Sequence, residues 1–118
     1  SLGLILPPLA DIIAKNGQVV ALIKPQFEAG REHVGKNGII KDSSVHREVL
    51  QQTITMMVRE GFSVEHLTFS PIKGGQGNIE FLAVLQRVEE PKIADDIDID
   101  QLLISTYQQL NHTGDANE

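Results

Sequence analysis

Hydrophobic positions change period several times along this chain, and each change predicts an element. From Ser1 to Lys15, Leu2, Ile5, Leu6, Leu9, Ile12 and Ile13 recur three to four apart, the spacing of a helix face. Pro7 and Pro8 predict a first turn or a break there, since neither can donate a mid-helix hydrogen bond. Asn16-Gly17 predicts a left-handed stop. Gln18 to Lys24 is apolar on consecutive positions from Val19 to Ile23, which predicts a strand covered on both faces. Pro25 ends it. Gln26 to Lys41 reads as a loop with three glycines, long enough to be functional or mobile. Asp42 or Ser43 caps the next helix, whose stripe is Val45, Val49, Leu50, Ile54, Met57 and Val58, and Gly61 closes it. Phe62 to Phe69 and Asn78 to Val88 read as two further strands across a Pro- and Gly-rich turn.

The order helix, strand, helix, strand, strand predicts an α/β fold. Two strands joined by a helical crossover run parallel, and a short connection reverses the third. The piece has the look of half of a doubly wound sheet. Ligands of such sheets bind beyond the carboxyl ends of the parallel strands, which is where Lys24 stands. A reversed strand starts at that same rim, so Asn78 and Glu80 open theirs beside it, on one face by alternation. Lys24 and Glu80 are then either a site or an exposed ion pair of little energetic value.

Composition is that of a soluble globular chain: 41% hydrophobic, 22% charged, no cysteine. Disulfides and thiolate metal sites are excluded, and no apolar run is long enough to span a bilayer as a helix. The net charge of −6 argues against nucleic acid until it is located. Residues 1–88 hold nine Lys/Arg against eight Asp/Glu, whereas residues 89–118 hold one against eight. We therefore divide the chain into a domain at 1–88 and an acidic extension at 89–118. In the extension, Ile97 to Leu110 suits a short amphipathic helix and the final residues suit disorder. The histidines His33, His46, His66 and His112 show no metal-ligand spacing and suit surface or helix positions.

The segments SLGLILPPL, ALIKPQFEAGREHVGKNGIIKD, VHREVL and FSPIKGGQGNIEFL resemble the haemolysin A-like (TlyA) ribosomal-RNA ribose 2′-O-methyltransferases of the FtsJ-like class. The resemblance runs from Ser1 to about Leu85. It implies the C-terminal half of a Rossmann-like methyltransferase sheet, with the reversed strand inserted between its two predecessors. From the family's Lys-Asp-Lys-Glu set it implies Lys24 as the second lysine and Glu80 as the glutamate. The first lysine, the aspartate and the glycine-rich loop for S-adenosylmethionine have no counterpart here. The implied fragment therefore neither binds donor nor turns over by itself, and its cofactor-binding residues are expected mostly in the missing half.

The implied partner is ribosomal RNA or a ribosomal subunit in the cytoplasm. A ribose hydroxyl is a weak nucleophile that must be held in line and relieved of a proton. Lys24 suits proton removal or alkoxide stabilisation, and Glu80 suits orientation. Phe27 suits stacking on a base or ordinary packing, while Arg31 and Lys36 suit phosphate contacts. Lys41 suits a phosphate contact or a solvated loop. Asn78 suits substrate binding or a turn, and Glu28 is expected to pair with Arg31. Two other readings compete. One is a haemolysin or membrane-active protein; the other is an interaction module whose acidic tail binds a basic partner or covers a sheet edge. A half-sheet would also expose an unpaired edge, so self-association is expected.

Overall fold

The computed structural model describes residues 1–35, 38–74 and 77–114, with 111–114 as backbone. Helix α1 spans Leu2–Ile12 and is capped by Ser1, whose side chain accepts from Gly3 N. Pro7 and Pro8 lie within it rather than in a first turn or at a break. The helix runs through them without the two ladder bonds their missing N–H groups would make, and Leu6 beside them is buried in the core. Asn16 then takes a left-handed φ of 66° and its N–H donates to the Arg87 carbonyl at 2.7 Å, turning the chain into strand β1, Gln18–Ile23.

Two short elements fill what reads as open loop. Helix α2, Pro25–Glu28, starts directly on Lys24, with Pro25 in the first turn where its lack of a donor costs nothing. A 3-10 turn covers Arg31–His33. Helix α3, Ser43–Arg59, is capped by Asp42, which accepts from Ser44 Oγ and Ser44 N, and these bonds, the hydroxyl's foremost, hold the Asp42 carboxyl below the usual carboxylate range. Gly61, at φ 100°, makes the turn into strand β2, Phe62–Phe69.

Strand β3 is Phe81–Arg87, so Asn78 and Glu80 belong to its approach and not to its ladder. It lies between the other two, in the order β1-β3-β2, and is antiparallel to both. β1 and β2 therefore run parallel, as expected, with the reversed strand inserted between them. An irregularity between Val64 and His66 shifts the alternation of β2, bringing Leu67 opposite Ala83 and Phe69 opposite Phe81.

One face of this sheet is packed. Ala21, Ile23, Phe62, Val64, Phe81, Ala83 and Leu85 join Leu6 of α1 and Val49, Leu50, Ile54 and Met57 of α3 in a single core. The other face carries Val20 and Leu22, which are 67% and 39% exposed. The expectation of two covered faces is thus met on one side alone.

The acidic extension folds back on the sheet. Val64 N donates to Lys92 O at 3.0 Å and Ala94 N to Val64 O at 2.9 Å, a short parallel bridge along the outer edge of β2. Helix α4, Ile99–Gly114, follows and packs on α3 and β2. Its Leu103 and Leu110 are buried, each contributing about 1.5–3 kcal/mol of apolar burial. Arg47 Nε donates to Asp100 Oδ1 at 2.7 Å near its start. Disorder was expected after Leu110, but α4 runs on through Gly114; residues 115–118 lie outside the described residues.

Candidate functional site

The sheet register brings the two predicted residues together. Ile23 pairs with Phe81, so one step further sets Lys24 against Glu80. By alternation both continue the open face, behind Val20 and Leu22 on one strand and Val84 and Leu82 on the other. On the far side of Glu80, its carbonyl accepts from Ser70 N at 2.8 Å. Lys24, Glu80 and Ser70 thus form a row across one end of the sheet.

The side chains do not pair as an ion pair. Lys24 is half-buried, and its Nζ stands 5.4 Å from the centre of the Phe27 ring, a distance suited to cation–π attraction. Glu80 is 5% exposed, and its Oε2 accepts a hydrogen bond from Gln26 Nε2 at 2.9 Å. Gly74 lies so close that a Cβ there would fall on the Glu80 carboxylate. A glycine leaves room for the acid in this position, and any side chain would have to displace it. The Gly74 N–H donates to Asn78 O at 2.8 Å, closing the turn that leads into Glu80.

Asn78 is 2% exposed and its polar atoms hold loop backbone: Oδ1 accepts from Ile40 N at 3.0 Å and Nδ2 donates to Gly38 O at 2.6 Å. The side chain therefore anchors the backbone at Gly38 and Ile40, which leaves its amide engaged. Phe27 is 64% exposed and Arg31 is exposed on the 3-10 turn after α2. Lys36 lies outside the described residues. Glu28 does not pair with Arg31; it accepts from Leu2 N at 2.9 Å and from Ser1 Oγ at 3.1 Å, holding α2 to the start of α1.

Three features, two at the rim and one in the core, escape a reading of residue types. Gln26, next but one to Lys24, holds Glu80. Lys73, exposed beside Gly74, adds a cation to the loop that folds over Glu80. His46 takes the helix position expected of it, on α3, but is fully buried there, with Nδ1 2.7 Å from the Tyr107 phenol oxygen. Burial pushes its pKa below the usual histidine range, against the weaker pull of the Ile40 carbonyl and Asp42. Burial likewise pushes Tyr107 up to about 12. Tyr107 was legible in one respect: with Leu103 and Leu110 it makes an i, i+4, i+7 stripe.

The rim offers a hydroxyl-bearing ligand an ammonium, a carboxylate, an amide and an aromatic ring. It does not by itself fit an adenosyl group. Among the described residues no glycine-rich turn follows β1, because Pro25 begins α2 there, and the space at Gly74 is taken by Glu80.

Comparisons with known proteins identify the family and the fold. A family model described as FtsJ-like methyltransferase matches residues 5–87. A Bacillus subtilis (strain 168) protein with the provisional name rRNA methyltransferase YqxC is 54% identical over 82 residues, 70% of this chain and 29% of that protein. The 16S/23S rRNA (cytidine-2'-O)-methyltransferase TlyA of Mycobacterium tuberculosis is 29% identical over 86 residues, 73% of this chain and 32% of that protein. A solved structure with the provisional name hemolysin, from Streptococcus thermophilus, superposes with a TM-score of 0.93 at 48% identity, covering 98% of this chain and 42% of that one. The chain therefore spans about a third of the curated relatives it matches, and the likeness of fold extends through α4.

Proposed function

The chain belongs to the FtsJ-like methyltransferase family, and from that premise we propose that it forms the acceptor-side rim of an RNA ribose 2′-O-methyltransferase acting on ribosomal RNA in the cytoplasm. The observation that carries this reading is the register that sets Lys24 against Glu80 at the carboxyl end of β1. The methyl donor is S-adenosylmethionine, held mainly by parts of the complete protein outside this chain. The chain alone neither binds donor nor turns over.

The work of this rim is to place a ribose hydroxyl and manage its proton. Lys24 faces the hydroxyl: it takes the leaving proton as an amine or stabilises the developing alkoxide as an ammonium. Glu80, buried and anchored, orients. Phe27 offers its exposed ring to a base, while Arg31, Lys36 and Lys73 offer charge to phosphates, a contribution that weakens with salt. Asn78 contributes by anchoring the backbone at Gly38 and Ile40. The names of several relatives suggest membrane damage, but no described helix is long and apolar enough to cross a membrane, and the rim chemistry has no use in that reading.

The test is methyl transfer to ribosomal subunits by the full-length protein carrying this chain, with ribose products identified by mass spectrometry. Lys24→Ala is expected to abolish transfer while leaving the thermal melt unchanged. Near-normal turnover in that variant removes Lys24 from the mechanism. Calorimetric titration of residues 1–118 with S-adenosylmethionine is expected to show no binding, and stoichiometric binding overturns the assignment of the donor pocket elsewhere.

A further inference from the structure

We propose that Gln26 is a further positioning residue of this rim: its amide fixes the Glu80 carboxylate beside Lys24 and so sets how the acid meets the acceptor ribose. The proposal rests on the ribose-methylation reading above and adds a residue to it. Helix α2 begins at Pro25, so Gln26 sits in its first turn, two positions from Lys24. Its Nε2 donates to Glu80 Oε2 at 2.9 Å. An ionised carboxylate can only accept, so the amide nitrogen must face it and Oε1 must point the other way. That Oε1 is buried and has no hydrogen-bond partner among the described residues.

Glu80 is nearly closed to solvent, and among the described residues Gln26 is the side chain that donates to its carboxylate. Gly74 crowds the same carboxylate and spends its own N–H on Asn78 O, so the amide of Gln26 sets which way the acid faces. The α2 turn thereby holds the acid and the lysine in one frame.

The experiment uses the full-length protein. Gln26→Leu keeps the volume but removes donor and acceptor. It is expected to lower kcat for ribose methylation at least tenfold while KM for RNA, set largely by phosphate contacts, changes less than threefold. Gln26→Glu places two carboxyls in contact, which together retain a proton as pH falls. The protonated pair restores a donor to Glu80, so its activity relative to wild type is expected to rise between pH 8 and pH 6. A purely structural role would lower activity alike at both. With 15N-glutamine labelling, the side-chain amide signal lost in Gln26→Leu is expected to move in Glu80→Leu. A kcat within twofold of wild type in Gln26→Leu, a Gln26→Glu profile parallel to wild type, or an unmoved amide signal overturns the proposal. Absence of ribose methylation in the wild type removes the functional reading instead, and the amide signal still decides whether Gln26 holds Glu80.

Discussion

The imidazole Nδ1 of His46 lies 2.7 Å from the phenol oxygen of Tyr107, joining α3 to α4 across 61 positions of sequence. His46 also meets the Phe81 ring edge-on, with centroids 6.2 Å apart, so one side chain ties the C-terminal helix to the central strand.

This contact predicts a pH window of stability. His46 has its folded pKa below the unfolded value of about 6.5, so the unfolded chain binds the proton first as pH falls, and stability declines below about pH 6.5. Tyr107 is raised to about 12, so the unfolded chain loses its proton first as pH rises above about 10, and stability declines from there towards 12. Urea denaturation across pH is expected to show a plateau between these limits. In His46→Phe the acidic decline is expected to shrink; an unchanged acidic limb would assign it to other groups.

Asn78 is expected to matter to stability before chemistry. Its replacement by alanine leaves Ile40 N and Gly38 O without their side-chain partners, at a cost of about 3 kcal/mol for the two. Asn78→Asp keeps an acceptor for Ile40 N but sets a carboxylate against the Gly38 carbonyl, and should be no better than alanine. Chemical denaturation of the three proteins measures this, and a loss below 0.5 kcal/mol in Asn78→Ala, small beside the range of about 1–3 for one orphaned buried group, would show that the loop holds itself.

Gly74→Ala should separate fold from function. Its Cβ must push the Glu80 carboxylate off Gln26, an overpacking cost of about 1–3 kcal/mol. The displaced acid is expected to reduce methyl transfer in the full-length protein far more than the stability loss explains at temperatures where the variant is folded. Equal activity per folded molecule would mean that Glu80 tolerates another position.

Much of this arrangement is written in local pattern. A consecutive apolar run marks β1, a three-to-four spacing marks α3 and a near-alternation marks β2, and the connection lengths between them carry the strand directions. The meeting of Lys24 with Glu80 follows from topology together with the family's inserted strand. What local pattern could not carry was partner choice. Glu28 had Arg31 three positions away in sequence, but α2 turns it towards Ser1 and Leu2. Gln26 is an ordinary polar residue until a strand more than fifty positions later brings Glu80 to it. In the acidic extension the amphipathic helix was legible over Ile97 to Leu110, but not where it docks: Leu103 and Leu110 are buried as α4 packs on α3 and β2. Val20 and Leu22 looked buried because a strand with two apolar faces carries no mark of which face its own chain will cover.

That open face leads to a prediction for the chain studied alone. Val20 is 67% exposed and Leu22 39%, beside half-buried Leu82 and Val84. On α1, Leu4 and Ile12 are about four-fifths exposed. Among the described residues β1 pairs with β3 only, so its other edge offers unpaired backbone groups. Residues 1–118 are therefore expected to self-associate, with sedimentation showing a mass that rises with concentration. Val20→Lys with Leu22→Lys places charge on this face and should shift the chain towards monomer. Because Val20 already meets solvent, the thermal melt should move by only a few degrees, in line with about 1 kcal/mol or less for a surface change. A wild-type chain that stays monomeric at millimolar concentration, or a double variant that associates as strongly, would show that this face is not where copies meet.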